Sequence, residues 1–238
     1  MFEKTAAYYD KFYNFLDYKT ATENLRSVID SHHGSAGSLL DVACGTGHYL
    51  EYLKKYYQGS GLDVLGDLLE QARIRCPEVP FYLGDMTNFD LGKKFDIITC
   101  LFCSIGYVQT VEKMAMAIRK MSSHLNSGGL LIVEPWISPE QCWTGRVTCD
   151  VAEEADIKVV RMYTHKREDA MSIYDIHTLV GTSEGVEHFT ETEKMGLFTQ
   201  QEYLLAFHAA GLTASFVDVE LFPGHKYGLY LGKKIQVA

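Results

Sequence analysis

A glycine-rich turn is the segment of this sequence whose residue types point most directly to chemistry. Residues 39–42 form a short apolar run that is typical of a buried strand, and Gly45 and Gly47 break it before helical spacing begins at Tyr49. Glycine tolerates a positive φ angle and has no Cβ, so backbone N–H groups and a helix N-terminus can face a ligand there. The segment therefore predicts a strand, a ligand-binding turn and a helix.

Carboxylates lie at the ends of the first three predicted strands, as Asp41, Asp63 and Asp85. Asp63 follows the glycine turn by about 20 residues, where a doubly wound fold has the acid that accepts hydrogen bonds from both ribose hydroxyls of a cofactor. Ligands of open α/β sheets collect at the carboxyl ends of strands. The three aspartates therefore predict a cofactor site, and ordinary solvated loop aspartates are the alternative.

A dinucleotide is one candidate cofactor, but its G-x-G-x-x-G pattern fits poorly, because Ala43, Gly45, Gly47 and Leu50 occupy the candidate positions. The stretch D-V-A-C-G-T-G instead resembles the first motif of class I S-adenosylmethionine-dependent methyltransferases. In that family an acidic residue ends the first strand, and the glycines bend under the methionine part of the cofactor. The acid after the third strand faces the adenine amino group, a role that would fall on Asp85.

The elements that must position these residues alternate between strand and helix from Ser38 to Glu134. Helices are predicted at about residues 49–57, 65–75 and 111–125, and strands end at Val42, Asp63, Leu83, Leu101 and Glu134. A capping box at 199–202 opens a last helix, which stops at Gly211, and strands follow at 214–221 and 227–232. This pattern predicts an α/β fold, a doubly wound, seven-stranded, Rossmann-like methyltransferase sheet.

Between Trp136 and Gly196 the sequence changes to an alternating β pattern, which predicts an antiparallel β lid inserted after the fifth strand. Its predicted strands are 158–163, 172–179 and 186–193. Residues 1–135 and 197–238 would then form the methyltransferase core with an N-terminal helical cap, and 136–196 the insertion over the substrate site. Aromatic residues in the cap, at helical spacing, predict core packing; Tyr9 and Tyr18 are also candidates to wall the active site.

Composition excludes several other classes of protein. The chain has 238 residues, 47% of them hydrophobic, and a formal charge of −9, which argues against a general nucleic-acid binder. We expect a cytoplasmic protein without a membrane partner, because no segment could span a bilayer and the N-terminus lacks the apolar core of a signal peptide. Cys100 and Cys103 end an apolar run, without a second pair nearby, so we expect free thiols and no metal site.

Motifs along nearly the whole chain resemble one group of methyltransferases more closely. They are L-L-D-V-A-C-G-T-G, G-D-M-T-N-F-D-L-G-K-K-F-D, F-C-S-I-G-Y, V-E-P-W-I-S-P-E, L-F-T-Q-Q-E-Y and A-F-H-A-A-G-L. Together they resemble the dTDP-3-amino-3,6-dideoxyhexose N,N-dimethyltransferases of macrolide-sugar biosynthesis. The resemblance implies S-adenosylmethionine as methyl donor and a dTDP-aminosugar as small-molecule acceptor. It places around the cofactor Tyr9, Asp41, Ala43, Gly45, Gly47, Asp63, Val64, Asp85, Met86 and Phe102.

An acceptor pocket near the fourth and fifth strands follows from the same resemblance. The residues expected to bind substrate are Phe2, Tyr18, Ser104, Tyr107, Trp136, Lys158, Arg161, Lys226 and Tyr227. Of these, Lys158 and Arg161 belong with Lys166 and Arg167 to a candidate basic patch for phosphates, and a solvated strand face is the alternative. Tyr107 is the catalytic candidate for contacting the amine, with a purely aromatic wall as the alternative. An alkylamine is mostly protonated at neutral pH, so an acceptor for its proton is expected. Glu134 and Glu140 are the candidates for that role, with a simple strand end before Pro135 as the alternative interpretation of Glu134.

Departures from that group leave the acceptor open. The group has G-R-G-L-F where this chain has K-Y-G-L-Y at 226–230, and its arginine is a candidate for holding the nucleotide phosphates. It also has a tyrosine at Phe2, a serine at Cys103 and an aromatic residue at Ile137. Two alternatives therefore remain, a methyltransferase for another small amine or hydroxyl compound without a nucleotide, and a non-catalytic S-adenosylmethionine-binding protein. A homodimer is compatible with the sequence but not required by it.

Overall fold

The computed structural model describes residues 8–13, 15–34 and 36–235. Its largest unit is a seven-stranded sheet that alternates with helices, and a four-stranded sheet is inserted after the fifth strand. The large sheet contains β1 (Ser38–Val42), β2 (Gln58–Asp63), β3 (Phe81–Leu83), β4 (Phe95–Cys100), β5 (Leu125–Val133), β10 (Leu212–Val217) and β11 (Leu229–Lys234). The small sheet contains β6 (Val147–Glu153), β7 (Ile157–Glu168), β8 (Met171–Thr182) and β9 (Gly185–Gly196).

The helices are α1 (Tyr9–Tyr13), α2 (Tyr18–His32), α3 (His48–Leu53), α4 (Gly66–Arg75), α5 (Val111–Ser123) and α6 (Gln200–Ala209), and a 3₁₀ turn spans Ser104–Val108. The order of strands in the large sheet is β10-β11-β5-β4-β1-β2-β3. Strands β1 to β5 are parallel, whereas β11 pairs antiparallel with both β5 and β10. The order reverses between β1 and β4, and a ligand crevice is expected at their carboxyl ends.

The central strands are buried on both faces. Leu40 and Ile98 belong to a core cluster that includes residues of α5 and α6. Their neighbours Leu39 and Ile97 face the other side and pack with residues of α2 and α3. All four side chains are fully buried. A strand covered on both faces needs a continuous apolar run, which is why β1 was recognisable in the sequence.

The predicted doubly wound sheet with an antiparallel β insertion is confirmed. The insertion, however, has four strands rather than three, and the predicted ones are longer than expected. Strand β6 was missed because its residues alternate between exposed and half-buried, and none is fully buried. Helix α1 contacts β6, and Lys11 of α1 forms an ion pair with Glu154 just after it.

Several predicted boundaries were wrong. Helix α3 ends at Leu53, four residues early, because β2 already begins at Gln58. Helix α5 ends at Ser123, two residues early, because β5 already begins at Leu125, where its register with β4 shifts. Strand β10 begins and ends earlier than predicted, and β11 runs two residues later at both ends.

Three smaller findings complete the fold. None of the helices in the described part is long and apolar enough to cross a membrane. Each of the six cysteines is a free thiol, Cys100 and Cys103 both being buried. Within the described ranges, no cluster of three or more histidine, cysteine, aspartate or glutamate side chains is arranged to hold a metal ion.

Candidate active site

A cavity of about 320 Å³ lies at the carboxyl ends of the central strands. Ala43 after β1, Asp63 of β2 and Phe102 after β4 line it from the large sheet. Tyr9 of α1 and Tyr174 of β8 line it from the opposite side. The cavity therefore lies where the strand order reverses and is covered by α1 and the small sheet, and its volume suits a small-molecule ligand.

The glycine turn is fixed to β2 by Asp63. One carboxylate oxygen of Asp63 accepts a hydrogen bond from the backbone N–H of Gly45 at 2.8 Å, and the other accepts one from Leu65 at 2.9 Å. Gly45 has φ +54°, and no atom lies within 4 Å of the position that a Cβ would take. The turn thus presents bare backbone beside a buried carboxylate, an arrangement that fits the expected S-adenosylmethionine with its ribose hydroxyls.

Most of the predicted cofactor residues line this cavity, namely Tyr9, Ala43, Gly45, Asp63, Val64, Met86 and Phe102. Asp41 does not, because its buried carboxyl accepts a hydrogen bond from the Thr99 hydroxyl at 2.7 Å, and burial raises its pKa to about 7. Asp85 is exposed and accepts hydrogen bonds from the backbone and hydroxyl of Thr87.

Gly47 also lies outside the cavity lining. A Cβ at Gly47 would be 3.3 Å from the Cβ of Ala72 in α4, and its φ is +79°. The close approach of α3 to α4 therefore explains why this position is a glycine, and contact with a ligand is not needed to explain it. Asp41, Asp85 and Gly47 are three predicted cofactor residues that the structure does not bring to the cavity.

The loop after β4 has a strained backbone at the cavity wall. Phe102 and Cys103 have φ angles of +52° and +60°, a region that non-glycine residues rarely adopt. The buried carboxylate of Glu134 accepts a hydrogen bond from the Phe102 N–H at 2.6 Å, and burial raises the pKa of Glu134 to about 7. Glu134 does not line the cavity, contrary to its expected contact with substrate, so its position suits holding the loop rather than accepting a substrate proton.

Tyr107 lines the cavity as predicted, and its hydroxyl donates a hydrogen bond to a carboxylate oxygen of Glu193 at 3.0 Å. Glu193 belongs to β9 and also lines the cavity. Glu193 was not among the residues expected from the sequence to form the site. The alternation of side chains along β9 could have indicated Glu193. Its side chain shares the inward face of β9 with Phe189 and Met195, and a carboxylate on such a face needs an explanation.

Arg161 also lines the cavity, where it connects the small sheet to α1. Its guanidinium donates hydrogen bonds to Asp150 at 2.8 Å and to the Tyr13 hydroxyl at 3.3 Å. Among the described residues that line the cavity, Arg161 is the only lysine or arginine. Tyr13 is another lining residue that was not among those expected from the sequence.

Other predicted substrate residues lie outside the cavity lining. Lys158 is exposed and pairs with Glu153 at 2.7 Å, and Lys226 is exposed near Glu220, 3.7 Å away. The Tyr18 ring stacks on His48 with centroids 4.3 Å apart, in the core beside the cavity wall. Phe2 lies outside the described residues.

Ser104, Trp136 and Tyr227 do line the cavity. The indole Nε1–H of Trp136 is buried and has no hydrogen-bond partner among the described residues. A buried donor without a partner is unfavourable, so a ligand that accepts from it would be stabilised. Tyr174 also lines the cavity, and its buried hydroxyl lies close to Ser172.

Comparison with known proteins gives consistent matches. A family model described as a methyltransferase domain matches residues 39–129. The dTDP-3-amino-3,4,6-trideoxy-alpha-D-glucopyranose N,N-dimethyltransferase of Streptomyces venezuelae is 37% identical, over 88% of this chain and 90% of that protein. The dTDP-4-amino-2,3,4,6-tetradeoxy-D-glucose N,N-dimethyltransferase of Saccharopolyspora spinosa is 38% identical, over 83% and 78% of the two chains.

A solved structure matches along the full length as well. CalS10 with bound S-adenosylmethionine, an amino pentose methyltransferase of Micromonospora echinaspora involved in calicheamicin biosynthesis, has a TM-score of 0.85 and 32% identity. The match covers 98% of both chains. It therefore includes the small sheet and α1 as well as the large sheet.

Proposed function

This chain belongs to the family of S-adenosylmethionine-dependent methyltransferases that contains the dTDP-aminosugar N,N-dimethyltransferases, and from that premise we propose that it methylates the amino group of a dTDP-linked amino-deoxysugar. The observation that carries the proposal is one cavity that extends from the glycine turn and Asp63 to the small sheet. A cofactor at the first end and an acceptor at the second would meet beside Phe102 and Tyr107.

The cofactor end of the cavity supports binding of S-adenosylmethionine. When bound, this cofactor supplies a methyl group on a positively charged sulfur, which a lone pair of the acceptor can take up in an in-line displacement. Asp63 offers a buried carboxylate to the ribose hydroxyls, and Gly45 leaves the backbone accessible. Met86 and Val64 provide apolar contact for the adenine.

The acceptor end supports binding of a polar small molecule. Trp136 provides a buried N–H without a partner among the described residues, and Tyr174 provides a buried hydroxyl close to Ser172. We assign these two groups to hydroxyls of the sugar. Residues 136–196 would act as the lid that excludes water, and residues 1–135 with 197–238 as the core with its helical cap.

Arg161 is the residue we assign to the nucleotide phosphates. Its guanidinium is mostly buried, and the Asp150 carboxylate leaves some of its five N–H donors available. Lys158 and Lys226 are unsuited to this role because both lie outside the cavity.

Arg161 is the only lysine or arginine among the described residues that line the cavity. This favours a second candidate function, methylation of a small amine that carries no nucleotide. The third alternative, a non-catalytic cofactor-binding protein, would need a cavity closed off at Ser104 and Tyr107. Both residues line open space, which speaks against it.

Calorimetric titration with dTDP and with S-adenosylhomocysteine, separately and together, tests the proposal. We expect both to bind, and Arg161→Met to weaken dTDP about tenfold or more while sparing S-adenosylhomocysteine. Lys194→Met, on the exposed face of β9, is the matched control and should leave both unchanged. Binding of S-adenosylhomocysteine without any binding of dTDP would refute the nucleotide-linked acceptor and favour the second candidate.

A further inference from the structure

We infer that Glu193 takes the proton from the acceptor amine, in an ammonium-binding site that it forms with Tyr9, Tyr13 and Tyr107. This inference rests on the proposed function, because it assigns the acceptor nitrogen of that reaction to one end of the cavity. It also replaces Glu134, which lies behind the loop after β4, as the acceptor of the proton.

The geometry brings one carboxylate and three phenol rings to the same wall of the cavity. Glu193 accepts the hydrogen bond from Tyr107 at 3.0 Å, which occupies one of its two oxygens. The rings of Tyr9 and Tyr13 lie 4.7 Å apart, and the Tyr13 ring meets Phe102 edge-on at 5.1 Å. All four residues of the proposed site line the cavity.

Such a site has the chemistry that recognises an ammonium group. Aromatic faces attract cations, and the attraction is stronger where water is excluded. A buried carboxylate adds a charge partner and a hydrogen-bond acceptor. A neutral hydroxyl acceptor can donate a hydrogen bond to the carboxylate, but it gains neither the charge pairing nor the attraction of a cation to the aromatic faces. The wall therefore favours an amine over an alcohol as methyl acceptor.

The proton balance of the reaction requires a group of this kind. The amine arrives as R–NH₃⁺, which has no lone pair to offer the methyl group. Transfer of one proton to the ionised Glu193 gives R–NH₂ and a neutral carboxyl. Each methyl transfer then regenerates a cationic nitrogen, so the carboxyl must release its proton to solvent before a second transfer.

The electrostatic surroundings agree with this role. Burial raises the pKa of Glu193, while the hydrogen bond from Tyr107 and the charge of Arg161 on β7 lower it. Glu191 on the same strand raises it further, and Tyr9 and Tyr13 face it from α1. Burial has the largest effect, so the carboxylate is a better proton acceptor than a solvated one.

The test compares Glu193→Gln with Glu184→Gln, an exposed carboxylate in the turn of the same β8–β9 hairpin. Glutamine keeps the size and an acceptor oxygen but takes up no proton. With a dTDP-aminosugar we expect Glu193→Gln to lower kcat/KM about a hundredfold at neutral pH. The ratio of the wild-type to the variant kcat/KM should fall about tenfold for each unit by which the pH rises, because the free amine becomes available without a base. Calorimetric binding of S-adenosylhomocysteine should be unchanged.

A binding comparison gives a second readout that involves no turnover. The S-adenosylhomocysteine complex should prefer the dTDP-aminosugar over its hydroxyl counterpart, and Glu193→Gln, but not Glu184→Gln, should abolish the preference. A preserved preference together with a wild-type pH profile in Glu193→Gln would overturn the inference.

Failure of the proposed function would look different, as absence of turnover of every dTDP-aminosugar by the wild-type protein. Methylammonium chloride then tests the site alone, by saturation-transfer NMR on the S-adenosylhomocysteine complex. Binding that Glu193→Gln removes would support the ammonium site, and equal binding or no binding by both proteins would overturn it.

Discussion

Asp10 of α1 forms an ion pair with Arg75 at the end of α4, their closest N–O distance being 2.6 Å. The same carboxylate accepts a hydrogen bond from the Thr46 hydroxyl at 2.7 Å and lies 3.0 Å from His48 Nε2. One side chain thus ties α1 to the glycine turn and to two helices of the core. Tyr9 lines the cavity beside it, so the contact holds one wall of the cavity in place.

Asp10→Asn is therefore expected to loosen the cavity wall without unfolding the protein. The hydrogen bonds of a partly buried carboxylate to charged partners contribute about 1.5–3 kcal/mol, so the affinity for S-adenosylhomocysteine should fall roughly tenfold or more. Calorimetry measures this directly. Asp30→Asn, at an exposed position in α2, is the control. Unchanged affinity in Asp10→Asn would show that α1 does not support cofactor binding.

Gly45→Ala should separate cofactor binding from stability. Gly45 and Gly92 both have positive φ angles, +54° and +62°, and at neither does any atom lie within 4 Å of the position that a Cβ would take. Alanine should therefore lower the free energy of unfolding by a similar amount at each position, about 1 kcal/mol. Only at Gly45 would the methyl group enter the cavity, and only there should S-adenosylhomocysteine binding be lost. Equal binding by the two variants would exclude the turn as the cofactor site.

Glu134→Gln should change how stability depends on pH. Burial raises the pKa of Glu134 to about 7, well above that of the unfolded chain. The folded protein then holds this proton more tightly, so the carboxyl's contribution to the free energy of unfolding falls as pH rises from about 4.5 to about 7. Glutamine lacks this titration.

Chemical denaturation gives the free energy of unfolding of both proteins at about pH 5 and about pH 8. From the lower to the higher pH, the value for the variant should therefore rise relative to that for the wild type by an amount on the order of 3 kcal/mol. Asp41, whose pKa is also raised to about 7, is present in both proteins and cancels from the difference. Parallel pH profiles of the two proteins would mean that Glu134 does not titrate in this range.

Trp136→Phe should weaken the acceptor and leave the cofactor unaffected. The substitution removes the indole N–H, which is buried without a partner among the described residues, but keeps an aromatic ring in the cavity. Loss of one hydrogen bond to a sugar hydroxyl should raise KM for the aminosugar by about 3- to 10-fold. Steady-state kinetics at saturating S-adenosylmethionine measures this, and an unchanged KM would remove Trp136 from the sugar site.

The cofactor end of the candidate site was predictable because its signals are local in the sequence. Gly45 and Asp63 sit at fixed positions relative to β1 and β2, and a doubly wound sheet brings such strand ends together whatever the loops contain. Asp41 and Asp85 satisfy the same pattern, yet their carboxyls bond to Thr99 and Thr87 instead.

The acceptor end was less predictable because it depends on which face of the insertion turns inward. Alternation along a strand distinguishes two faces but does not say which one meets the core. Glu193 was therefore missed among several acidic residues of β9. Lys158 was assigned to phosphate although it lies on the outward face and pairs with Glu153. Strand β6 was missed since its alternation is inverted, with Val147 and Val151 exposed and Thr148 and Asp150 half-buried.

Mass spectrometry of dTDP-aminosugars incubated with the protein and S-adenosylmethionine tests the central claim most directly. The acceptors should carry the amine at C3 or at C4, as the names of the two relatives indicate for their substrates, with the same sugars lacking dTDP as controls. We predict a gain of one or two methyl groups on the nitrogen of a dTDP-linked sugar and little on the free sugar. Methylation of the free amine alone, or of a hydroxyl oxygen, would contradict the account.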